Sequence, residues 1–267
     1  MHLGSISSSD NVHIKYVRSL QEKKRVRYRE KCYIIEGPVM VAQALSMGYR
    51  PALSFYTEEL AAARPDLIEE LADGDARAWS VSPALMQALS ETVTHQGVLA
   101  VLPMPEVDPD TLVGTTLLLV LDNIRDPGNL GTMMRTALAT GVDALILSTG
   151  CVDPYSPKVV RAGMGAHLSL PILPGMMWEQ IAPRLAGHHV VLADAAGEHT
   201  PWEIDWTRPS ALIVGSEAHG AGQTARSLAD DTVRLPMQEG VESLNAAIAA
   251  AVILFEAQRQ RMGASLR

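Results

Sequence analysis

Cysteine is nearly absent from the chain: there are two in 267 residues, Cys32 and Cys151, and no C-x-x-C. So few cysteines, so far apart, exclude a disulfide framework and a zinc site and suit a reducing cytoplasm. The histidines do not cluster at ligand spacing, so no metal is expected. No stretch reaches the roughly 18 apolar residues that a membrane span requires, so no membrane association is expected. The opening "MHLGSISSSDNVHIKYVRS" lacks the apolar core of a secretory signal. Internal repeats and low-complexity tracts are missing too.

Two phosphate-binding fingerprints are also absent. The stretch "DPGNLGTMMRTALATGVDA" (residues 126–144) puts a glycine-bearing turn in front of a helical pattern, the usual setting for an anionic cofactor. A dinucleotide fingerprint would need G-x-G-x-x-G, but the turn offers only Gly128 and Gly131. A P-loop would need Gly-Lys-Ser/Thr, and no lysine is near.

What is present is a globular composition with 47% apolar residues, long enough for one large or two ordinary domains. The net charge of −8 does not advertise nucleic-acid binding, but its distribution is uneven. Residues 1–35 hold eight Lys/Arg against three Asp/Glu, most of them in "KYVRSLQEKKRVRYREK". Such a cluster is either a phosphate-tracking patch or the solvated face of an N-terminal helix. "VLPMPEVDPDTLVG", with three prolines and three acids, is the best linker candidate. The organisation expected is therefore an N-terminal domain over residues 1–105, a linker over 106–114 and a larger domain over 115–267.

Ahead of the glycine turn, "TTLLLVLDN" reads as a strand buried on both faces. Behind it, Leu130, Met133, Met134, Ala137 and Leu138 form one helical stripe, with Asn129 at the expected N-cap. Gly141 ends the helix and "ALILS" begins the next strand, a βαβ unit. "CYIIEG", "PALSFYT" and "VLAVLP" read as strands of the N-terminal domain, and "HHVVLADA", "SALIVGSE" and "TVRLPM" as strands of the C-terminal one. The last helix carries no charged or polar residue from Ala246 to Phe255. A helix apolar all round is expected to be buried all round, which suggests that a second subunit covers one face.

In an open parallel sheet, ligands bind beyond the carboxyl ends of the strands. Three polar turns occupy that rim: the one holding Asn129 and Arg135, "VGSEAHGAG", and "LPMQEGVESLNAA". Together, "DNIRDPGNLGTMMRTALATGVDALIL", "LIVGSEAHG" and "LPMQEGVESLNAAIAAAVILFEAQRQ" resemble the three motifs of the SpoU, or TrmH, branch of the SPOUT methyltransferases. "DPYSPKVVRAGMGAHLSLPI" is similar to the segment this family carries between its first two motifs. "YIIEG" and "THQGVLAV" are similar to the small RNA-binding domain fused in front of many members. The resemblance covers about residues 12–262.

The resemblance implies an α/β fold: a parallel-sheet SPOUT domain with a deep trefoil knot, preceded by a smaller domain like ribosomal protein L30e. It implies S-adenosylmethionine as cofactor, a homodimer, and methylation of a ribose 2′-OH in RNA, ribosomal RNA in particular. Its catalytic positions fall on Asn129, Arg135, Glu217, Ser243 and Asn245, and its cofactor contacts on Ala193, Gly215, Leu235, Met237 and Leu244. Ala218 and Gly163 depart from the family pattern, which usually has Gly and often Ser there.

The chemistry asks for help at a poorly nucleophilic hydroxyl. The resemblance assigns proton removal to Arg135, yet arginine stays protonated in proteins. Clamping a phosphate and stabilising the developing alkoxide is the other role open to it. His219 is expected to be a turn-exposed histidine rather than a base, and Tyr155 a packing residue rather than a stacking platform. The competing readings are a tRNA 2′-O-methyltransferase, a catalytically silent RNA-binding or assembly protein, and a nicotinamide oxidoreductase.

Overall fold

A computed structural model describes residues 3–73, 77–107, 112, 114–217, 219–241 and 243–265. The chain forms two compact units. The first runs to Pro105 and also takes in Tyr155–Leu168; the second comprises Glu106–Pro154 and Ser169 onward. Of the linker expected at 106–114, residues 108–111 and 113 lie outside the described residues, as does Ala218.

In the first unit the strands are β1 (Leu3–Ile6), β2 (Cys32–Glu36), β3 (Leu53–Tyr56), β4 (Arg77–Val81) and β5 (Val98–Pro103). They form one sheet in the order β1-β4-β3-β5-β2. The strands β1, β4 and β3 are parallel, and β5 runs antiparallel to both neighbours. The helices are α1 (Val12–Glu22), α2 (Lys24–Glu30), α3 (Pro38–Ser46), α4 (Glu58–Ala63), α5 (Pro65–Leu71) and α6 (Pro83–Leu89). Three of these, α3, α5 and α6, begin with Pro in the first turn, where the missing N–H costs nothing.

The two faces of this sheet follow the period of two. Val98, Ala100 and Leu102 of β5 join one core with Tyr33 and Ile35. Leu99 and Val101 join the other with Ile34 and Phe55. The first of these cores also buries Tyr155, Val160 and Leu168, which is why Tyr155–Leu168 counts with this unit. That segment carries helix α8 (Pro157–Gly163), and Tyr49 Oη donates to the Leu168 carbonyl at 3.0 Å. Tyr155 is a packing residue, with its ring 5.3 Å from that of Tyr33 and 5.7 Å from that of His167.

Among the described residues the second unit has six strands: β6 (Leu117–Asp122), β7 (Ala144–Ser148), β8 (Ile172–Met176), β9 (His189–Ala193), β10 (Ser210–Gly215) and β11 (Asp231–Val233). All pair in parallel, in the order β11-β9-β10-β6-β7-β8. The three central strands β10, β6 and β7 are buried along their whole length, as expected of unbroken apolar runs covered on both faces. The helices here are α7 (Pro127–Ala139), α9 (Trp178–Ile181), α10 (Gln223–Leu228) and α11 (Ala246–Ser265).

Three local expectations change. The N-cap of α7 is Asp126, whose carboxylate accepts from the Asn129 N–H at 2.8 Å; Asn129 stands one turn further in. The strand expected over 232–237 ends at Val233, because Pro236 supplies no N–H and biases Leu235 away from regular pairing. In the single chain α11 is not buried on all sides. Ile253, Leu254 and Ala257 are buried, but Ile248, Val252 and Phe255 are 54%, 41% and 52% exposed. These last three recur at i, i+4 and i+7, one uncovered stripe.

Candidate active site

The rim of the parallel sheet brings three of the expected residues into one hydrogen-bonded ring. Asn129 comes from the first turn of α7, Glu217 from the loop after β10, and Asn245 from the entry to α11. Asn129 Nδ2 donates to Glu217 Oε1 at 2.6 Å. Asn245 Nδ2 donates to the same oxygen at 2.7 Å and to Asn129 Oδ1 at 2.9 Å. The Ala246 N–H reaches Glu217 Oε1 at 3.3 Å. One carboxylate thus gathers three donors, while Asn245 also caps α11 through Oδ1, which accepts from the N–H groups of Ala247 and Ile248 at 3.0 and 3.2 Å.

Beside the ring lies a cavity of about 280 Å³, to which Glu217 contributes a wall. Every position expected to contact a cofactor lines it: Ala193 at the end of β9, Gly215 at the end of β10, Leu235 and Met237 after β11, and Leu244 before α11. Ser243 lines it as well. Val214 and Ile253 add apolar wall, and Asp194 and Arg226 form an ion pair at its edge. A second, more open cavity of about 250 Å³ adjoins the ring on the side of Asn123, Arg125 and Asp126 and shares Ser216, Glu217 and His219 with the first. His219 is exposed in its turn.

Arg135 is not part of the ring. It lies six residues beyond Asn129 on α7, about 9 Å along the axis and on another face. Its side chain is exposed and has no hydrogen-bond partner among the described residues.

The loop between β10 and α10 is held from both ends by residues that the motifs alone do not single out. Asp122, buried at the end of β6, accepts from the Gly222 N–H and from Ser148 Oγ, both at 2.8 Å. Arg226 Nε donates to the Ala221 carbonyl at 3.2 Å. Nothing in the spacing of Asp122, Asp194 or Arg226 marks them, since their partners lie on other strands and loops. Gly215 has a different part from the one its motif suggests. A Cβ there would collide with Ala221 N and Gly220 C, both backbone atoms. Glycine is therefore required by the close return of the loop, and a large side chain would displace that loop rather than only fill the cavity.

Cys151 sits under the same rim, accepting from the Ile124 N–H at 3.3 Å, and burial pushes its thiol up from the ordinary range. An inert, structural thiol is the consequence. Among the described residues no cluster of His, Cys, Asp or Glu could hold a metal ion, and no helix is long and apolar enough to cross a membrane.

Comparison with known proteins resolves what this rim belongs to. Residues 116–255 match the model of the SpoU rRNA methylase family. The chain belongs to that family. Residues 11–100 match the MRM3-like substrate binding domain. The chain is 35% identical to an uncharacterized tRNA/rRNA methyltransferase of Synechocystis, over 98% of this chain and 96% of that one. It is 31% identical to the 23S rRNA (guanosine(2553)-2′-O)-methyltransferase RlmP of Bacillus subtilis, over 94% and 97% of the two chains. Its structure is similar to that of an AdoMet-bound rRNA methyltransferase from Sinorhizobium meliloti, with a TM-score of 0.86, 28% identity and coverage of 96% and 98%. The ring and the residues named above as lining the cavity beside it all lie within the stretch that this family match covers.

Proposed function

We propose that the protein is an S-adenosylmethionine-dependent RNA 2′-O-ribose methyltransferase acting on ribosomal RNA. The observation that carries this reading is the closed ring of Asn129, Glu217 and Asn245 at the edge of the cavity lined by Ala193, Leu235, Met237 and Leu244. The lining fits the cofactor's chemistry. Leu235, Met237, Leu244 and Ile253 offer apolar walls for a purine, and Glu217 offers a carboxylate oxygen for the cationic end. When bound, the cofactor supplies an electrophilic methyl group.

The chain's own residues have the remaining work. Glu217, already holding three donors through one oxygen, orients the Asn129 and Asn245 amides towards a ribose. Ser243 adds a hydroxyl at the same edge. The Arg135 guanidinium is suited to clamp a phosphate and to stabilise negative charge that develops on the ribose oxygen.

Arg135 is too far along α7 to serve the ring of its own chain, which favours a homodimer in which it serves the partner's site. Arg135 and Leu138 are exposed three residues apart on α7, and Gln258 of α11 donates to the Ala139 carbonyl at 3.1 Å, so the two helices lie side by side. The uncovered Ile248, Val252 and Phe255 on α11 are then the apolar centre of the interface. A trefoil knot at the C-terminal sheet and an L30e-like grouping for the N-terminal unit complete the reading, as the family resemblance implies, and a cytoplasmic location rests on the scarcity of cysteine.

The test is calorimetry with S-adenosylmethionine and with NAD, followed by mapping of 2′-O-methyls in RNA from a deletion strain. The expected result is binding of the first ligand alone and one missing methyl in ribosomal RNA. A missing methyl in tRNA would reassign the substrate, and a full set of methyls with no cofactor binding would leave a silent RNA-binding protein.

A further inference from the structure

A third cavity lies wholly inside the first compact unit, between β2, α3 and α8, with a volume of about 140 Å³. It takes no part in the methyl-transfer site described above. Sites for whole small molecules usually span about 300–1,000 Å³, so this one suits a single flat ring system. Its walls are Ile34, Val39, Met40, Val160 and Met164. Two of them stand at the mouth rather than in the core: Val39 is 77% exposed and Met164 58%. Met164 is also held at φ +44°, the left-handed region that usually falls to glycine or asparagine at a helix end. An exposed thioether in that conformation is a feature that packing alone does not require.

The polar groups of the cavity are those that read a base edge. Glu36 Oε1 is engaged by the hydroxyls of Ser90 and Thr92, which leaves Oε2 as an oriented acceptor. Gln43 and Gln96 also line the cavity, and their side-chain amides have no hydrogen-bond partner among the described residues. Each lies against a positive-φ glycine: Gln96 Oε1 occupies the space a Cβ of Gly37 would need, and Gln43 Oε1 is 2.8 Å from where a Cβ of Gly165 would be. A glutamine amide offers a donor and an acceptor side by side, and a carboxylate accepts from an exocyclic amino group. Glu91 also lines the cavity and faces Arg161 at 4.0 Å, so the cations for an anionic chain come from the basic run Lys23, Lys24 and Arg25, which follows the lining residue Gln21.

We propose that this cavity receives one unpaired, amino-bearing nucleobase of the RNA, held between Met164 and Val39 and read by Glu36, Gln43 and Gln96. The inference rests on the reading of the protein as an RNA methyltransferase and adds a specificity site built from residues outside the three motifs. An unstacked base is read by hydrogen bonds to its edge and held by side chains against its faces, here the apolar Met164 and Val39. Uracil, which carries no exocyclic amino group, is the base it discriminates against.

Full-length protein is titrated with labelled single-stranded RNA decamers of A, C and U, for wild type, Met164→Gly and Glu36→Gln. Glycine suits the backbone at 164, and glutamine keeps an acceptor for Ser90 and Thr92, so both variants should melt like wild type and keep their S-adenosylmethionine affinity. The expected result is a roughly tenfold weaker Kd for the A or C decamer and an unchanged Kd for U, in the range set by a single base-edge hydrogen-bond pair. Wild-type affinities in both variants would overturn the proposal, as would an equal loss for all three decamers, which marks a base-blind surface. Should Glu36→Gln fail to fold, Met164→Gly alone decides. A wild-type protein that binds S-adenosylmethionine but no decamer would instead overturn the RNA reading itself, and this site with it.

Discussion

Asn245 and Glu217 meet at 2.7 Å through Nδ2 and Oε1, and the same asparagine caps α11 through its Oδ1. One side chain therefore joins the start of the last helix to the polar ring. The two duties can be separated. Asn245→Ala should lose both, costing about 1 kcal/mol of stability for the cap and roughly 10²–10³ in methyl-transfer rate for the misoriented ring. Asn245→Asp should keep the cap and its stability, yet lose the rate, because it removes the donor and sets a second carboxylate against Glu217. Chemical denaturation and a methyl-transfer assay on both variants check this. An Asp variant as active as wild type would remove the ring from the mechanism.

The shared site can be tested by complementation. Arg135→Ala should bind S-adenosylmethionine but lose roughly 10²–10⁴ in rate. Ala249→Trp, which fills the cavity from α11, should lose cofactor binding. Gly215 is unsuitable for the same purpose, because the loop backbone there leaves no room for a side chain. Co-refolded in equal amounts, the two inactive variants should form about half mixed dimers and regain about a quarter of wild-type activity, since one of the two sites in each mixed dimer is whole. No recovery, with mixed dimers verified by native mass spectrometry, would confine Arg135 to its own chain. Phe255→Glu, in the uncovered stripe, should yield monomers in analytical ultracentrifugation and little activity.

The basic stretch is best probed by substitution rather than truncation. Because Tyr155–Leu168 buries side chains in the first unit, removing residues up to 105 would strip the cover from Tyr155, Val160 and Leu168. Replacing Lys23, Lys24 and Arg25 with Ala leaves that core intact. The log–log salt dependence of RNA binding should then flatten by roughly 0.7 for each phosphate that is no longer neutralised. An unaltered slope would move the phosphate-binding cations to the second unit.

Glu256 gives a pH signature for α11. The Arg259 guanidinium, donating through Nε and Nη2 at 2.8 Å each, holds the Glu256 carboxyl below its usual range, with Gln260 adding a third donor at 2.8 Å and burial opposing both. A depressed folded-state pKa contributes stability above the unfolded value, near 4.3, and that stability is lost as pH falls below it. Glu256→Gln should therefore lower the urea midpoint at pH 7 and narrow its difference from wild type towards pH 3. A constant difference across that range would show that the pair does not titrate with folding.

What the sequence determined by itself was local. The buried runs of β6, β7 and β10, the stripe and glycine stop of α7, and the order of three polar turns along one sheet rim all depend on side chains a few residues apart, where periodicity and turn chemistry act. The polar ring was legible as a set of candidates, because the three turns each carried an amide or a carboxylate. Which of them touch was a tertiary matter: Asn129 and Glu217 are 88 positions apart, and Asn245 and Asn129 are 116. The same holds for Arg135, which shares a motif with Asn129 but, at 100° per helical residue, points away from it. It holds for Gly215, whose requirement comes from a loop folding back on it, and for Tyr155–Leu168, whose apolar face found its core in the first unit. The uncovered face of α11 was hidden for the opposite reason. A run without polar residues says that a surface will be buried, while only the folded chain decides which side it leaves for a partner to cover.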